Sequence, residues 1–188
     1  MILHSPSRPR RFGLGALGQH DRLAGALSRR LDDAHHWLPD VSPGSSEPID
    51  AVLVGPGGTW AITTRGERGR FTRRNGHWYR WNRSTDSWVP WDATPMTATR
   101  LAARRLSLYH DRAALPDAVE AVLVPPADMS VEPSAGEPFG LVVERDPDEL
   151  ATLALGEERL TGPQVDRIVA LLDPRQPLPR LAPSTPRS

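Results

Sequence analysis

The side chains in this sequence that can do chemistry gather between residues 50 and 91. The stretch IDAVLVGPGGTWAITTR, residues 49–65, holds two apolar runs around a Gly-Pro turn. One carboxylate, Asp50, opens the first run, and Thr63, Thr64 and Arg65 close the second. A carboxylate is the residue type that binds Mg²⁺, a hard cation that takes oxygen ligands. Held against a phosphodiester, such an ion polarises the phosphoryl group and supplies hydroxide at neutral pH. One acid holds it feebly, so Asp50 is a weak metal ligand unless a second carboxylate joins it.

A second constellation follows at once. Seven arginines lie between residues 65 and 83 (Arg65, Arg68, Arg70, Arg73, Arg74, Arg80 and Arg83), with Glu67 as the one acid among them. Trp78, Tyr79 and Trp81 are interleaved, and Trp60, Trp88 and Trp91 are near in sequence. Arginines reach phosphates and aromatic rings stack bases, so this composition suits a surface that follows a nucleic-acid backbone or a single strand. The competing reading packs one aromatic face on a sheet and leaves the arginines as a solvated edge that discourages strand-to-strand association. Alternation along HWYRWNR puts Trp78 and Arg80 on one face and Tyr79 and Trp81 on the other.

Composition excludes several alternatives. All 23 basic residues are arginine and they balance 23 acids, so net charge implies no particular partner. An all-arginine basic set fits a GC-rich coding bias, which explains single arginines without a role. There is no cysteine, hence no disulfide, zinc ribbon or thiol catalysis. No apolar run approaches the ~18 residues of a membrane span, and the cytoplasm is the default location. His35 and His36 read as neighbours on a helix that diverge, and His4, His20, His77 and His110 show no ligand spacing, so no histidine metal site is expected. Asp32 and Asp33 read as part of a solvated helix face. The Gly55–Gly58 turn joins strands and lacks the Lys-Ser/Thr of a phosphate-binding loop.

The elements that must position these groups are legible in outline. HDRLAGALSRRLDDAHHWL spaces Leu23, Leu27, Leu31 and Ala34 as one apolar stripe of a helix. Ala51–Val54 and Trp60–Thr64 are strands of a hairpin, a third strand covers Arg70–Arg74, and Asn75-Gly76 turns it into a fourth at HWYRW. A helix from Thr94, with Pro95 in its first turn, buries Met96, Leu101, Ala102, Leu106 and Tyr109. Strands at Val119–Val124 and Phe139–Val143 follow. Asp146-Pro147 starts a helix as N-cap and N1, and a last helix opens at Thr161 or Gly162 and turns Val165, Ile168, Val169 and Leu172 inward. Together they predict a mixed α/β fold, a mixed central sheet with a meander flanked by helices. Residues 1–17 read as a flexible arm, 18–173 as one domain, and 174–188 as a Pro-rich disordered tail.

This order, and the words in it, resemble the nuclease-related domain (NERD) family, whose members share the restriction-endonuclease-like fold of the PD-(D/E)xK nucleases. Members open on a helix beginning Gly-Glu, followed by a hairpin of the form hD-hhhhGP-Ghhh-hExK, a Trp-bearing hairpin, a helix introduced by Asn-Pro-x-x-Gln, two strands and C-terminal helices. The likeness runs from about Gly18 to Leu172 and is strongest at IDAVLVGPGGTWAI, where Asp50, Gly55, Pro56 and Gly58 stand as in the family. GRF from Gly69, the Trp78 hairpin and LTGPQVDRIVALL continue it.

The resemblance implies a metal site that this chain has largely lost. Carried over position by position, the helix acid falls on Gln19, the first hairpin acid on Asp50, the second on Thr63 and the lysine on Arg65. Only Asp50 keeps the family residue, and the Asn-Pro-x-x-Gln word reads Thr-Pro-Met-Thr-Ala from Thr94. Gln19 and Thr63 offer neutral oxygens, and Arg65 is a planar, permanently charged fork in place of a tunable amine. The expectation is a catalytically degenerate domain without a cofactor. It would bind DNA or another nucleic acid through Arg65, Arg68, Arg70, Arg73, Arg74, Trp78, Arg80, Trp81 and Arg83. Two alternatives accompany it. One is an active Mg²⁺-dependent nuclease in which Glu67, on a strand continuing through Thr63 and Arg65, replaces the missing acid. The other is a protein-interaction module using the same Trp/Arg-rich hairpin.

Overall fold

A computed structural model of the chain describes residues 1–5, 14–44, 47–64, 66–115, 119–132 and 141–173, with the side chains of 14–19 left aside. In chain order the first half comprises β1 (Ile2–Leu3), α1 (Leu14–Leu27), β2 (His36–Val41), β3 (Ile49–Gly55), β4 (Gly58–Thr63), β5 (Gly69–Arg74), β6 (His77–Asn82) and β7 (Ser87–Pro90). The second half comprises α2 (Thr94–Arg112), β8 (Val119–Leu123), β9 (Met129–Glu132), β10 (Val142–Val143), α3 (Pro147–Ala154) and α4 (Gly162–Leu172).

The β3–β4 hairpin is the centre of the molecule. Its apolar runs pair antiparallel from Ala51 opposite Ile62 to Gly55 opposite Gly58. Gly58 turns the chain at φ 139°, a conformation that residues with a side chain avoid. Both faces of the hairpin are covered. Val52, Val54 and Ala61 meet Ala102 and Leu106 of α2 and Val165, Ile168 and Val169 of α4. Ala51, Leu53, Trp60 and Ile62 meet Leu23 and Leu27 of α1 and Leu150 and Ala154 of α3. The sheet runs β1-β2-β3-β4-β8-β10, with β8 parallel to β4. A second sheet, β7-β6-β5-β9, is an antiparallel meander closed by a parallel strand.

Several elements fall where the sequence places them. The 94–112 helix, the Asn75-Gly76 hairpin and the helix start at Asp146, whose side chain accepts the Asp148 N–H, are as expected. At the start of α4 the Gln164 side chain accepts the Thr161 N–H at 2.8 Å.

Others differ. The first helix stops at Leu27, and His36-Trp37-Leu38-Pro39 enters the sheet as β2, with all four residues buried. A strand covered on both faces loses its alternation and reads as a continuous apolar run, which periodicity alone does not separate from helix. His35 and His36 are therefore not helical. The expected loose arm is docked at its start: Ile2 N–H donates to His35 O at 2.8 Å and His4 N–H to Trp37 O at 3.0 Å. Residues 6–13 of that arm, Phe139 and the 174–188 tail lie outside the described residues. On α2, Leu101 is 56 % exposed and the buried face is Met96, Thr99, Ala102, Ala103, Leu106 and His110.

Candidate nucleic-acid interface and the Asp50 position

Asp50 sits one residue before the last register pair of β3, and Thr63 one residue beyond it on β4, on the face of Val52 and Ala61. Its carboxylate is engaged. Oδ2 accepts the Thr64 N–H at 2.8 Å and the Thr64 hydroxyl at 3.1 Å. The first helix reaches the same place, because His20 Nε2 lies 2.9 Å from the Asp50 main-chain oxygen and the His20 ring packs against Trp37. Gln19 precedes His20 on α1, and the Gln19 side chain and Arg65 lie outside the described residues. Thr63 is buried.

These residues do not fit a magnesium ion. Asp50 is the one acid of the set, and its Oδ2 already accepts two hydrogen bonds from Thr64. Among the described residues no three His, Asp or Glu side chains are grouped to hold a metal. The strand expected to carry Glu67 onto the face of Thr63 is not seen, because β4 ends at Thr63. At Gly66 a Cβ would stand 2.5 Å from Pro126 Cδ and 2.7 Å from Met129 Sδ, so the chain passes tightly over that segment. Glu67 then accepts the Trp91 Nε1–H at 3.2 Å and faces Arg80 at 4.0 Å.

The arginines and tryptophans sort onto the two faces of the second sheet. Inward, Phe71, Trp78, Met96, Leu123 and Met129 form a core, and Trp91 packs on Phe71 and edge-on to Trp78. Trp78, expected to touch nucleic acid, is instead buried there, and half-buried Arg73 stands opposite it on β5. Outward, a ladder of cations and rings runs Arg74, Trp88, Arg70, Trp81. The Arg74 guanidinium carbon is 5.3 Å from the Trp88 ring, and that of Arg70 is 5.9 Å from Trp88 and 5.5 Å from Trp81. Glu132 accepts from Arg70 Nε and Nη2 at 3.1 and 2.6 Å.

At the Gly69–Asn82 end of this sheet lies a cleft of about 690 Å³ lined by Arg68, Arg70, Arg80, Trp81, Arg83 and Asp128, among others. Arg68 pairs with Asp128 at 2.7 Å, and Arg80 donates to the Arg68 carbonyl at 3.2 Å. Arg83 is exposed and makes no ion pair among the described residues. The acids thus offset part of the positive charge and leave an excess at the cleft.

One cluster has no signature in the sequence. His4 Nε2 lies 3.1 Å from His36 Nδ1, and His4 Nδ1 lies 3.2 Å from Asp173 Oδ2. Separations of 32 and 169 residues match no local spacing rule; the pairing of β1 with β2 brings His4 to His36, and the end of α4 brings Asp173. No family model, curated protein or solved structure matches the chain.

Proposed function

We propose that this chain is a non-catalytic nucleic-acid-binding protein on a nuclease-related, restriction-endonuclease-like scaffold. The convergence of Arg68, Arg70, Arg80 and Arg83 on one cleft beside Trp81 carries the reading. Guanidinium groups at a concave edge gather phosphates, and a ring in the wall offers a base a stacking partner. The scaffold half rests on the hairpin words and on the element order: a helix, the Gly-Pro hairpin, the Trp-bearing hairpin, then α2 crossing to a strand parallel to β4. The non-catalytic half rests on Asp50, whose carboxylate serves Thr64 as a structural acceptor.

Gel shifts with single-stranded and duplex oligonucleotides across a salt series test the binding. Affinity falls steeply with salt, and Arg83→Ala and Arg80→Ala each weaken it uniformly over sequences and reduce the salt slope by about one. Absent or salt-insensitive binding overturns this half. Plasmid nicking with Mg²⁺ or Mn²⁺ tests the other half: cutting by the wild type that Asp50→Ala abolishes overturns it.

A further inference from the structure

Two tryptophans of the second sheet stand outside every core. Trp81 on β6 and Trp88 on β7 are half-buried and directly opposite each other in the antiparallel register, with ring centroids 5.2 Å apart at 67°. Among the described residues neither belongs to any of the three buried clusters, whereas Trp37, Trp60 and Trp78 do. An indole ring left half in water forgoes much of the stabilisation that burial gives, and pairing across the hairpin returns part of it. Arg70 and Arg74 lay their guanidinium groups on the same rings, and Glu132 fixes Arg70 there by accepting from its Nε and Nη2. The outcome is a surface of adjoining planes, indole and guanidinium, and unstacked bases pack on both kinds. This surface is continuous with the cleft, because Arg70 and Trp81 belong to both.

We infer that this face takes a single strand of nucleic acid, its backbone along Arg68, Arg80 and Arg83 in the cleft and its bases against Trp81, Trp88 and Arg70. The inference rests on the nucleic-acid reading of the cleft and narrows it. Arginines that met only phosphate would favour a duplex, which carries one charge per ~1.7 Å of axis against ~3.4 Å for one strand. The rings reverse that order. In a duplex each base is covered by its neighbours and the grooves present only edges, so a ring on a sheet face finds nothing to stack on. A single strand offers a free face at every base. The acids act in the same direction, since Glu132 on Arg70 and Asp128 on Arg68 reduce what phosphate alone can gain.

Fluorescence anisotropy with the full chain tests this on three labelled probes of one length, about 12 nucleotides: an oligo-dT strand, an abasic strand with the same phosphates, and a mixed-sequence duplex. Oligo-dT binds the wild type at least about tenfold more tightly than either of the others. Trp81→Ala and Trp88→Ala each lower its affinity by about 5- to 150-fold and leave that of the abasic strand unchanged, while Trp88→Phe, which keeps a ring, retains most of it. Equal binding of oligo-dT and the abasic strand, or a duplex bound as tightly as oligo-dT, overturns the inference and leaves the nucleic-acid reading standing. So does an unchanged oligo-dT affinity in both folded alanine variants. Binding of none of the three probes overturns that reading and this inference with it. The probe comparisons are made on the wild type, so they hold whether or not the variants fold.

Discussion

At the scale of the residue, Asp50 shows how one carboxylate changes meaning with its neighbours. Next to a second acid it would be a ligand; beneath the Thr64 N–H and hydroxyl it is a buttress for the end of the hairpin. Asp50→Ala leaves that N–H without its acceptor and costs about 1–3 kcal/mol in urea unfolding, whereas Asp50→Asn, which keeps an acceptor oxygen, costs less. Mg²⁺ leaves the wild-type Tm unchanged, since an ion stabilises only the fold that binds it. Gly55 is a second such position. A Cβ there would lie 2.3 Å from Cδ2 of the buried His35 ring, so Gly55→Ala overpacks the β2–β3 seam and costs about 1–3 kcal/mol by the same measurement.

At the scale of the element, α2 separates what periodicity predicts from what packing decides. Leu106 is fully buried between α2 and the central sheet, while Leu101 faces outward. Leu106→Ala costs about 2–5 kcal/mol and Leu101→Ala within about 0.5 kcal/mol, a contrast that chemical denaturation of the two variants reads. The extent of α2 was legible because Pro95 marks its first turn and its face repeats every three to four residues. Which leucine turned inward was not, because Thr99 and His110 take places on the buried face that an apolar count passes over. β2 was illegible for the opposite reason: burial on both sides erased its alternation. Asp50, Thr63 and the arginine run were legible as residue types. Their partners Thr64, Glu132 and Asp128 were not, since pairing of β5 with β9 is set by topology.

At the scale of the molecule, the two sheets share a core residue. Leu123 belongs to β8 of the central sheet, yet its side chain is buried among Phe71, Trp78 and Met129 of the second. Leu123→Ala therefore lowers the stability of both sheets together, by about 2–5 kcal/mol. Tryptophan fluorescence and far-ultraviolet circular dichroism follow one coincident transition in wild type and variant; two separated transitions would show that the sheets fold independently.

The parallel seam that sets Thr59 beside Val119 also has a cost during synthesis. The ribosome emits the chain at about 5–20 residues per second, so for seconds the central hairpin waits with one bare edge while β5, β6 and β7 emerge and pair among themselves. A bare, apolar edge is an adhesive for other nascent strands. This architecture thus makes the yield of folded protein depend on how quickly α2 and β8 are delivered, and on what shields the edge until they arrive.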